Sequence, residues 1–233
     1  QGDWSSDVCS SDLATSYQLD VFTLVTPATN VVTWNFPNNP DDSIADGGVA
    51  ANASRVVTTF GGTGARGFVP VQSSATSAAS CNGWNSGTGI KYWQVDFSTL
   101  GYFYLTLSSA QRSSNTGPRD WKVQYRVGTG GTWTDVPGAT TIVANNWTSG
   151  VLTDIALPDA CSNQSQVFLR WIMTSGTRAD GLAGGVASAG TSAIDNIVIN
   201  GNAASFVTGY NSLSVAGTSQ SVTGLTAGTP YFY

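Results

Sequence analysis

Hydrophobic and polar residues alternate along most of the chain from Val31 onward, in short runs separated by glycine-rich turns. A period of two places alternate side chains on opposite faces of a strand, so the pattern predicts half-buried β-strands. In the clearest run, 121–127, Trp, Val, Tyr and Val alternate with Lys, Gln and Arg. Similar runs predict the other strands, at 31–36, 92–97, 103–108, 151–157, 167–173 and 194–199.

A predicted hairpin follows the clearest strand. The segment Gly128-Thr129-Gly130-Gly131 predicts a turn, after which 133–136 returns antiparallel to the strand before it. No window has a persuasive apolar period of 3.6 residues, so the sequence predicts no helix. Seven or more short strands with glycine-rich turns predict an all-β fold, an antiparallel β-sandwich or barrel.

Two stretches lack the alternating pattern. One is 37–66, which is polar, and the other is 176–191, which is rich in Gly, Ala and Ser. Irregular stretches longer than about a dozen residues are usually functional or mobile. We expect 176–191 to have low order, because its small side chains bury little area.

The composition argues against catalysis. The chain has no histidine, and all 14 of its acidic residues are aspartates. Histidine is the usual general base and metal ligand, and glutamate is the usual partner in paired-carboxylate chemistry. Neither of the two lysines, Lys91 and Lys122, completes a Ser-x-x-Lys spacing. We therefore predict that the protein is not an enzyme.

The charge content bears on location and partners. Charged residues make up 10% of the chain, below the roughly 25% of ordinary soluble domains, and Gly, Ser, Thr and Asn take their place. Such a surface is common in extracellular β proteins, so we expect an extracellular or cell-surface location. The 9 basic residues are scattered and the formal net charge is −5, so nucleic acid is not an expected partner. The sequence has no apolar run of 18 residues, so it predicts no membrane span.

Both ends of the chain differ from its middle. Asp3 to Leu13 resembles one reading frame of a widely used short-read sequencing adapter, so we treat 1–13 as a disordered artefact. We interpret 14–30 as a linker or as a remnant strand of a neighbouring repeat. Val222 to Tyr231 resembles the end of a fibronectin type III repeat, V-x-G-L-x-x-G-T-x-Y. We therefore expect 202–233 to be a truncated fibronectin type III-like fragment.

The middle of the chain, 31–201, resembles the jelly-roll-like modules of large secreted proteins from Bacteroidota and similar bacteria. The resemblance rests on Lys91 to Val95, on Leu107 to Trp121 with its Q-R-S-S-N-T-G-P-R-D-W run, and on Ser192 to Ile199. It implies a jelly-roll-like antiparallel β-sandwich that acts as a non-catalytic accessory module beside other domains of the same polypeptide.

Four aspartates are candidate ligands for a structural calcium ion. Asp41, Asp42 and Asp46 lie in one stretch after the first strand, and Asp195 lies at the start of the last. The first and last strands of a jelly roll often pair, which would bring these carboxylates together. Calcium takes six to eight oxygen ligands, which carboxylates and loop carbonyls can supply. The alternative is that the aspartates only stabilise turns.

Two sets of residues are candidate contacts for a polysaccharide or a cell-surface glycan. Amide and charged side chains of the loop 111–120 are of kinds that bind sugar hydroxyls or carboxylates; they are Gln111, Arg112, Asn115, Arg119 and Asp120. Three tryptophans lie near turns, where an exposed ring can stack on a sugar; they are Trp84, Trp133 and Trp147. The alternatives are a structural loop and tryptophans buried in the core.

Outside the adapter-like segment the chain has two cysteines, Cys81 and Cys161. In an oxidising compartment these two can form one disulfide. The alternative is two separate buried thiols. The extracellular type of composition favours the disulfide.

The sequence therefore predicts a non-catalytic accessory module of a secreted or cell-surface protein that binds carbohydrate or a surface polymer. The alternative is a structural spacer or adhesin segment with no ligand of its own. A binding module exposes aromatic rings beside converging polar groups, whereas a spacer buries its rings.

Overall fold

The computed structural model describes residues 17–62, 67–69, 71, 76–217 and 219–233. These residues form two compact units. The large unit is Thr26–Ala203, and the small unit combines the residues up to Val25 with Ala204–Tyr233. The predicted adapter-like segment, 1–13, lies outside the described residues.

Strands make up nearly all of the regular structure, so the predicted all-β class is confirmed. The helical segments of the described residues are two short 3-10 turns, Ala50–Asn52 and Asp159–Cys161. No helix in this part of the chain has the length and apolar character needed to cross a membrane. The strands are β1 (Tyr17–Leu19), β2 (Phe22–Leu24), β3 (Thr29–Trp34), β4 (Gly47–Gly48), β5 (Thr58–Phe60), β6 (Gly67–Val69), β7 (Ala78–Cys81), β8 (Tyr92–Phe97), β9 (Tyr102–Ser113), β10 (Asp120–Val127), β11 (Thr134–Ile142), β12 (Gly150–Ala156), β13 (Val167–Met173), β14 (Ser192–Phe206) and β15 (Leu213–Val215).

Two antiparallel sheets form the large unit. The first is a five-stranded sheet with the order β11-β10-β13-β8-β5. The second has the order β12-β9-β14-β3-β4, with β7 paired to the start of β14 and β6 paired to β7. Apolar side chains from both sheets fill one core, so this unit is the antiparallel β-sandwich that the sequence predicts.

Alternation along the strands fills the core from both sides. On β8 the buried residues are Trp93, Val95 and Phe97, and the residues between them are half-buried. Two core indoles bond to hydroxyls of the opposite sheet: Trp93 Nε1 donates to Ser192 Oγ and Trp171 Nε1 donates to Ser109 Oγ, both at 3.1 Å. Each ring is therefore buried without an unsatisfied N–H group.

The predicted strands lie close to the observed ones. Strands β8 and β13 have the predicted bounds, and β10 begins one residue earlier than predicted. The predicted hairpin is also confirmed: β10 pairs antiparallel with β11, and Gly128 has a φ of 61° in the turn between them. In the large unit the alternating pattern missed β4, β5, β6 and β7, because strands of two to four residues are too short to show a period.

The stretch 176–191 has no strand, but it is not left without hydrogen bonds. The backbone N–H groups of Ala179, Asp180 and Ala187 donate to carbonyls of 115–117, in the loop between β9 and β10, at 2.9–3.1 Å. Backbone hydrogen bonds therefore anchor this stretch. The expectation of low order considered only side-chain packing, of which small side chains provide little.

The small unit contains pairs between the two ends of the described chain. Strand β1 pairs antiparallel with β15, and β2 pairs with the last three residues of β14. The Phe22 ring packs against Phe206 and Phe232, with centroids 5.6 and 5.7 Å away. The resemblance of 202–233 to a fibronectin type III repeat stays a prediction.

Candidate functional site

The four predicted calcium ligands lie in one region, where the charges of Asp41, Asp42 and Asp195 act on or near Asp46. Asp46 Oδ2 accepts two backbone N–H groups at 2.8 and 2.9 Å. Asp41 and Asp42 each accept backbone N–H groups of their own loop. Among the described residues, no group of three acidic, thiol or imidazole side chains could hold a metal ion. Asp41, Asp42 and Asp46 therefore stabilise their own loop, and calcium binding by these residues stays a prediction.

The fourth of these aspartates, Asp195, is a buried carboxyl group. Its side chain is on β14, only 2% exposed, and accepts the Thr76 hydroxyl and the Asn196 N–H group. Burial raises the pKa of Asp195 to about 6, and the charge of nearby Asp46 acts in the same direction. Ionisation of Asp195 therefore costs folding free energy at neutral pH.

Cys81 and Cys161 are buried thiols, so the predicted disulfide is wrong. Cys81 of β7 lies opposite Ser192 of β14 in the sheet, and Ser192 Oγ accepts the indole N–H of Trp93 near the start of β8. Cys81 is therefore near that end of β8. The Cys161 carbonyl accepts the Thr99 hydroxyl, just past the end of β8. A strand of six residues spans roughly 20 Å, which is far beyond disulfide reach. Burial also raises the pKa of the Cys161 thiol to about 12.

Reductant is expected to leave the thermal stability of the large unit unchanged. A Cys9→Ser variant removes the third cysteine, so that only the two buried thiols remain. Its midpoint of thermal unfolding, measured by calorimetry with and without a phosphine reductant, should agree within error. A fall of several degrees on reduction would show that the two thiols are linked after all.

Two residues predicted to bind a ligand from the loop 111–120 instead belong to strand β9 and are buried. Gln111 and Arg112 are 1% and 4% exposed. The Thr141 hydroxyl donates to Gln111 Oε1 at 3.4 Å, and the Arg112 guanidinium bonds to the Asn145 side-chain carbonyl. Asn145 Nδ2 also donates to Asn115 Oδ1 at 2.8 Å. Gln111 and Arg112 are therefore not surface contacts, whereas Asn115 stays exposed.

Arg119, the last residue before β10, and Asp120, the first residue of β10, bond to each other. Arg119 Nε donates to Asp120 Oδ1 at 2.8 Å, and Arg119 Nη2 donates to Oδ2 at 3.3 Å. Burial alone would raise the pKa of Asp120, but the bonds from Arg119 and the Ser175 hydroxyl outweigh it and lower the pKa. These contacts favour a structural loop. Binding by Asn115, Arg119 and Asp120 stays a prediction.

Trp84 belongs to the core, so the prediction that it contacts a ligand is wrong. Its ring is fully buried, with centroids 5.4 Å from Trp93 and 5.2 Å from Trp121. Its Nε1 donates to the Cys81 carbonyl at 2.9 Å. The segment between β7 and β8 turns inward at this point, which a nearby turn in the sequence does not reveal.

Trp147 and Trp133 are both half-buried, but they differ in their neighbours. Trp147 Nε1 donates to the Val71 carbonyl at 3.1 Å. Trp133 lies just before β11, and two guanidinium groups lie over its ring. Of the three candidate tryptophans, Trp133 is the one that lies among other aromatic and charged side chains.

Those side chains belong to the outward face of the five-stranded sheet. Register places Tyr92 of β8 beside Ile172 of β13 and beside Phe60 of β5. It also places Gln124 of β10 beside Arg170 of β13. We use the name aromatic–arginine face for the rings and guanidinium groups of this surface: Phe60, Tyr92, Arg126, Trp133, Phe168 and Arg170.

Half of the face is a stack that runs from Phe60 to Trp133. The Phe60 and Tyr92 rings are stacked, with centroids 5.2 Å apart and planes at 14°. Arg170 Cζ lies 5.0 Å from the Tyr92 centroid and 4.1 Å from the Trp133 centroid. Phe60 is 55% exposed, so the stack ends in an aromatic ring that faces solvent.

The other half of the face is built around Arg126. Its Cζ lies 4.8 Å from the Trp133 centroid and 4.4 Å from the Phe168 centroid. Both distances are within the range of cation–π contacts. Within the described residues, Arg126 Nε has no hydrogen-bond partner.

A polar network lies beside the stack. Gln124 Oε1 accepts Arg170 Nε and Nη2 at 2.8 and 2.6 Å, and Gln124 Nε2 donates to Asp135 at 2.6 Å. Lys122 Nζ lies 2.9 Å from the Asp135 carboxylate. An open depression of about 350 Å³ lies beside this network. It is lined by Lys122, Gln124, Arg170 and Ile172, and by residues 88–89 and 173–174. The face thus combines ring surfaces with donors and acceptors held on adjacent strands.

Comparison with known proteins shows likenesses of fold at low sequence identity. No family model and no curated sequence matches the chain. A CBM4 structure is 16% identical to this chain with a TM-score of 0.42, and the alignment covers 72% of this chain and 90% of the CBM4 chain. The K3 cleaved adhesin domain of Lys-gingipain from Porphyromonas gingivalis is 13% identical with a TM-score of 0.39, covering 73% and 98%. A carbohydrate-binding module specific for non-crystalline cellulose, CBM28, is 13% identical with a TM-score of 0.27, covering 70% and 95%.

Sequence reasoning found Trp133 but missed the other members of the face. The available signal was strand alternation, which puts Arg126 on the side opposite to the core residue Trp121. Alternation alone cannot show that Arg170 and Tyr92 lie beside this position. That requires the strand order β10-β13-β8, in which strands distant in sequence become neighbours.

Proposed function

We propose that the chain is a non-catalytic glycan-binding module of a secreted or cell-surface protein, and that the aromatic–arginine face is its binding surface. The observation that carries the proposal is the exposed ring of Phe60, stacked on Tyr92 and continued by Arg170 beside an open depression. A neighbouring domain of the same polypeptide would supply any catalytic activity.

The chemistry of the face suits a sugar ligand. A pyranose offers an apolar C–H surface that packs on an aromatic ring, and hydroxyl groups that need donors and acceptors. Lys122, Gln124 and Asp135 already bond to one another, so their side chains are held in place before a ligand arrives. Preorganised groups lose less conformational entropy on binding.

Substitution of the exposed stack tests the proposal. The Phe60→Ala and Tyr92→Ala variants are expected to bind a retained polysaccharide about tenfold more weakly, because a central aromatic contact typically contributes more than about 1 kcal/mol. Affinity electrophoresis against a panel of soluble neutral and acidic polysaccharides would identify the ligand, and titration calorimetry would give the affinities.

Tyr104→Ala is the matched control. Tyr104 is 56% exposed and belongs to β9 of the other sheet, so its loss should leave binding unchanged. Equal weakening by Tyr104→Ala would move the site away from the aromatic–arginine face. No retention by any polysaccharide would refute glycan binding.

A structural spacer or adhesin segment is the second candidate function. The observation in its favour is that polar groups of the segment 111–120 bond to protein partners, as Arg119 does to Asp120. On that interpretation the stacked rings only stiffen the sheet. The same experiment separates the two candidates, because a spacer would be retained by no polysaccharide.

A further inference from the structure

We infer that the ligand of the aromatic–arginine face is an acidic glycan, whose carboxylate or sulfate groups bind Arg126 and Arg170. The inference deepens the proposed function and rests on it. It concerns the charge of the ligand, which the ring stack alone does not determine.

Neither arginine has a carboxylate partner in the described part of the chain. The four ion pairs found there involve other basic side chains. The nearby Asp135 bonds to Lys122 and Gln124 instead. Two guanidinium charges on this face are therefore not neutralised by an ion pair.

Arg126 has at least one hydrogen-bond donor with no protein partner in the described part of the chain. Its Cζ lies over the rings of Trp133 and Phe168, at 4.8 and 4.4 Å from their centroids. Its Nε, buried in the free protein, has no partner among the described residues. The N–H donors of a guanidinium lie in its plane and match the two oxygens of a carboxylate or sulfate.

The two arginines are also close enough to repel each other. Their Cζ atoms lie 4.8 and 4.1 Å from the centroid of one ring, that of Trp133. Burial is the main cause that lowers the pKa of Arg170, and the charge of Arg126 acts in the same direction, whereas Tyr92 and the charge of Asp135 act in the opposite direction. An anion bound beside both groups would remove this repulsion, so binding of an anionic ligand gains more here than at a single exposed arginine.

An acidic glycan fits these features better than other polyanions do. The chain carries a net charge of −5 and only 9 basic residues, so it has no broad positive field to attract nucleic acid. Phe60 and the depression beside Arg170 instead offer a local surface for a sugar ring.

Matched polysaccharides that differ only in charge test the inference on the full chain. Polygalacturonate and its fully methyl-esterified form isolate the carboxylate, and dextran sulfate and dextran isolate the sulfate. We expect at least one acidic form to bind about tenfold or more tightly than its neutral counterpart, and to bind more weakly as sodium chloride rises from 50 to 500 mM.

Variants link that preference to the two arginines. Arg126→Gln and Arg170→Gln should each weaken binding of the acidic form by about tenfold, without affecting any neutral polysaccharide that binds. Arg126→Lys retains the charge but not the bidentate geometry, and should weaken binding less. Arg178→Gln, in the stretch 176–191, is the control and should have no effect. Far-UV circular dichroism checks that each variant is folded.

The outcomes distinguish the two levels of the proposal. Equal binding of acidic and neutral forms, unchanged by the arginine variants, overturns the acidic preference and leaves glycan binding intact. Failure of every polysaccharide to bind overturns both. Equally tight binding of single-stranded DNA would show general attraction to polyanions and would also overturn the inference.

Discussion

Replacing Trp84 with alanine is expected to lower the free energy of unfolding by about 3–5 kcal/mol. The ring is fully buried and packs between Trp93 and Trp121, so its removal leaves a large cavity in the centre of the core. The variant also loses the hydrogen bond to the Cys81 carbonyl. Urea denaturation followed by circular dichroism measures the change.

Two further variants show whether the cost comes from burial. Trp84→Phe keeps most of the ring volume and should cost less than Trp84→Ala. Trp133→Ala removes a half-buried ring whose two cation–π contacts are worth about 0.5–1 kcal/mol each. If Trp84→Ala cost no more than Trp133→Ala, the placement of Trp84 in the core would be wrong.

The fold class was predictable because strand alternation is a local property. Along β8 and β10 the buried side of each strand follows from whether a position is odd or even, and Trp93 and Trp121 lie on that side. The position of Trp84 was not predictable in this way. It lies outside any strand, in a segment that turns inward, so no period assigns its ring to core or surface.

The candidate site depended on strand order, which the sequence does not state. Arg126 is on the outward side of β10 by alternation, but its partner ring Phe168 comes from β13. The long segment between these strands gives no indication that they pair. The disulfide prediction failed for the same reason. The fold places Cys81 and Cys161 near opposite ends of β8, and their separation in the sequence does not reveal this.

The calcium prediction required that the aspartates lie close together, and the structure supports this for two of them. Strand β3 does pair with β14, and Asp46 and Asp195 are close enough for their charges to interact. The carboxylate oxygens of Asp46, however, already accept backbone N–H groups. Which oxygens remain available for a cation depends on turn geometry, and spacing in the sequence does not give that.

Asp195→Asn is expected to stabilise the protein at pH 8 by up to about 3 kcal/mol. The pKa of Asp195 rises from 3.8 in the unfolded chain to about 6 in the fold, mainly through burial, and each pKa unit corresponds to about 1.4 kcal/mol. The asparagine side chain is neutral, and its oxygen can still accept the Asn196 N–H group. Urea denaturation at pH 4, 6 and 8 measures the free energy of unfolding.

The sign of the pH dependence follows from which state holds the proton more tightly. Because the folded protein binds it more tightly, the contribution of Asp195 to stability is fully present below pH 3.8 and is lost as pH rises through about 6. The asparagine variant should therefore differ little from the parent at pH 4 and most at pH 8. Asp159→Asn, at an exposed position, is the control and should not change this profile. An Asp195→Asn variant that is less stable than the parent at pH 8 would mean that ionised Asp195 stabilises the fold, contrary to its burial beside Asp46.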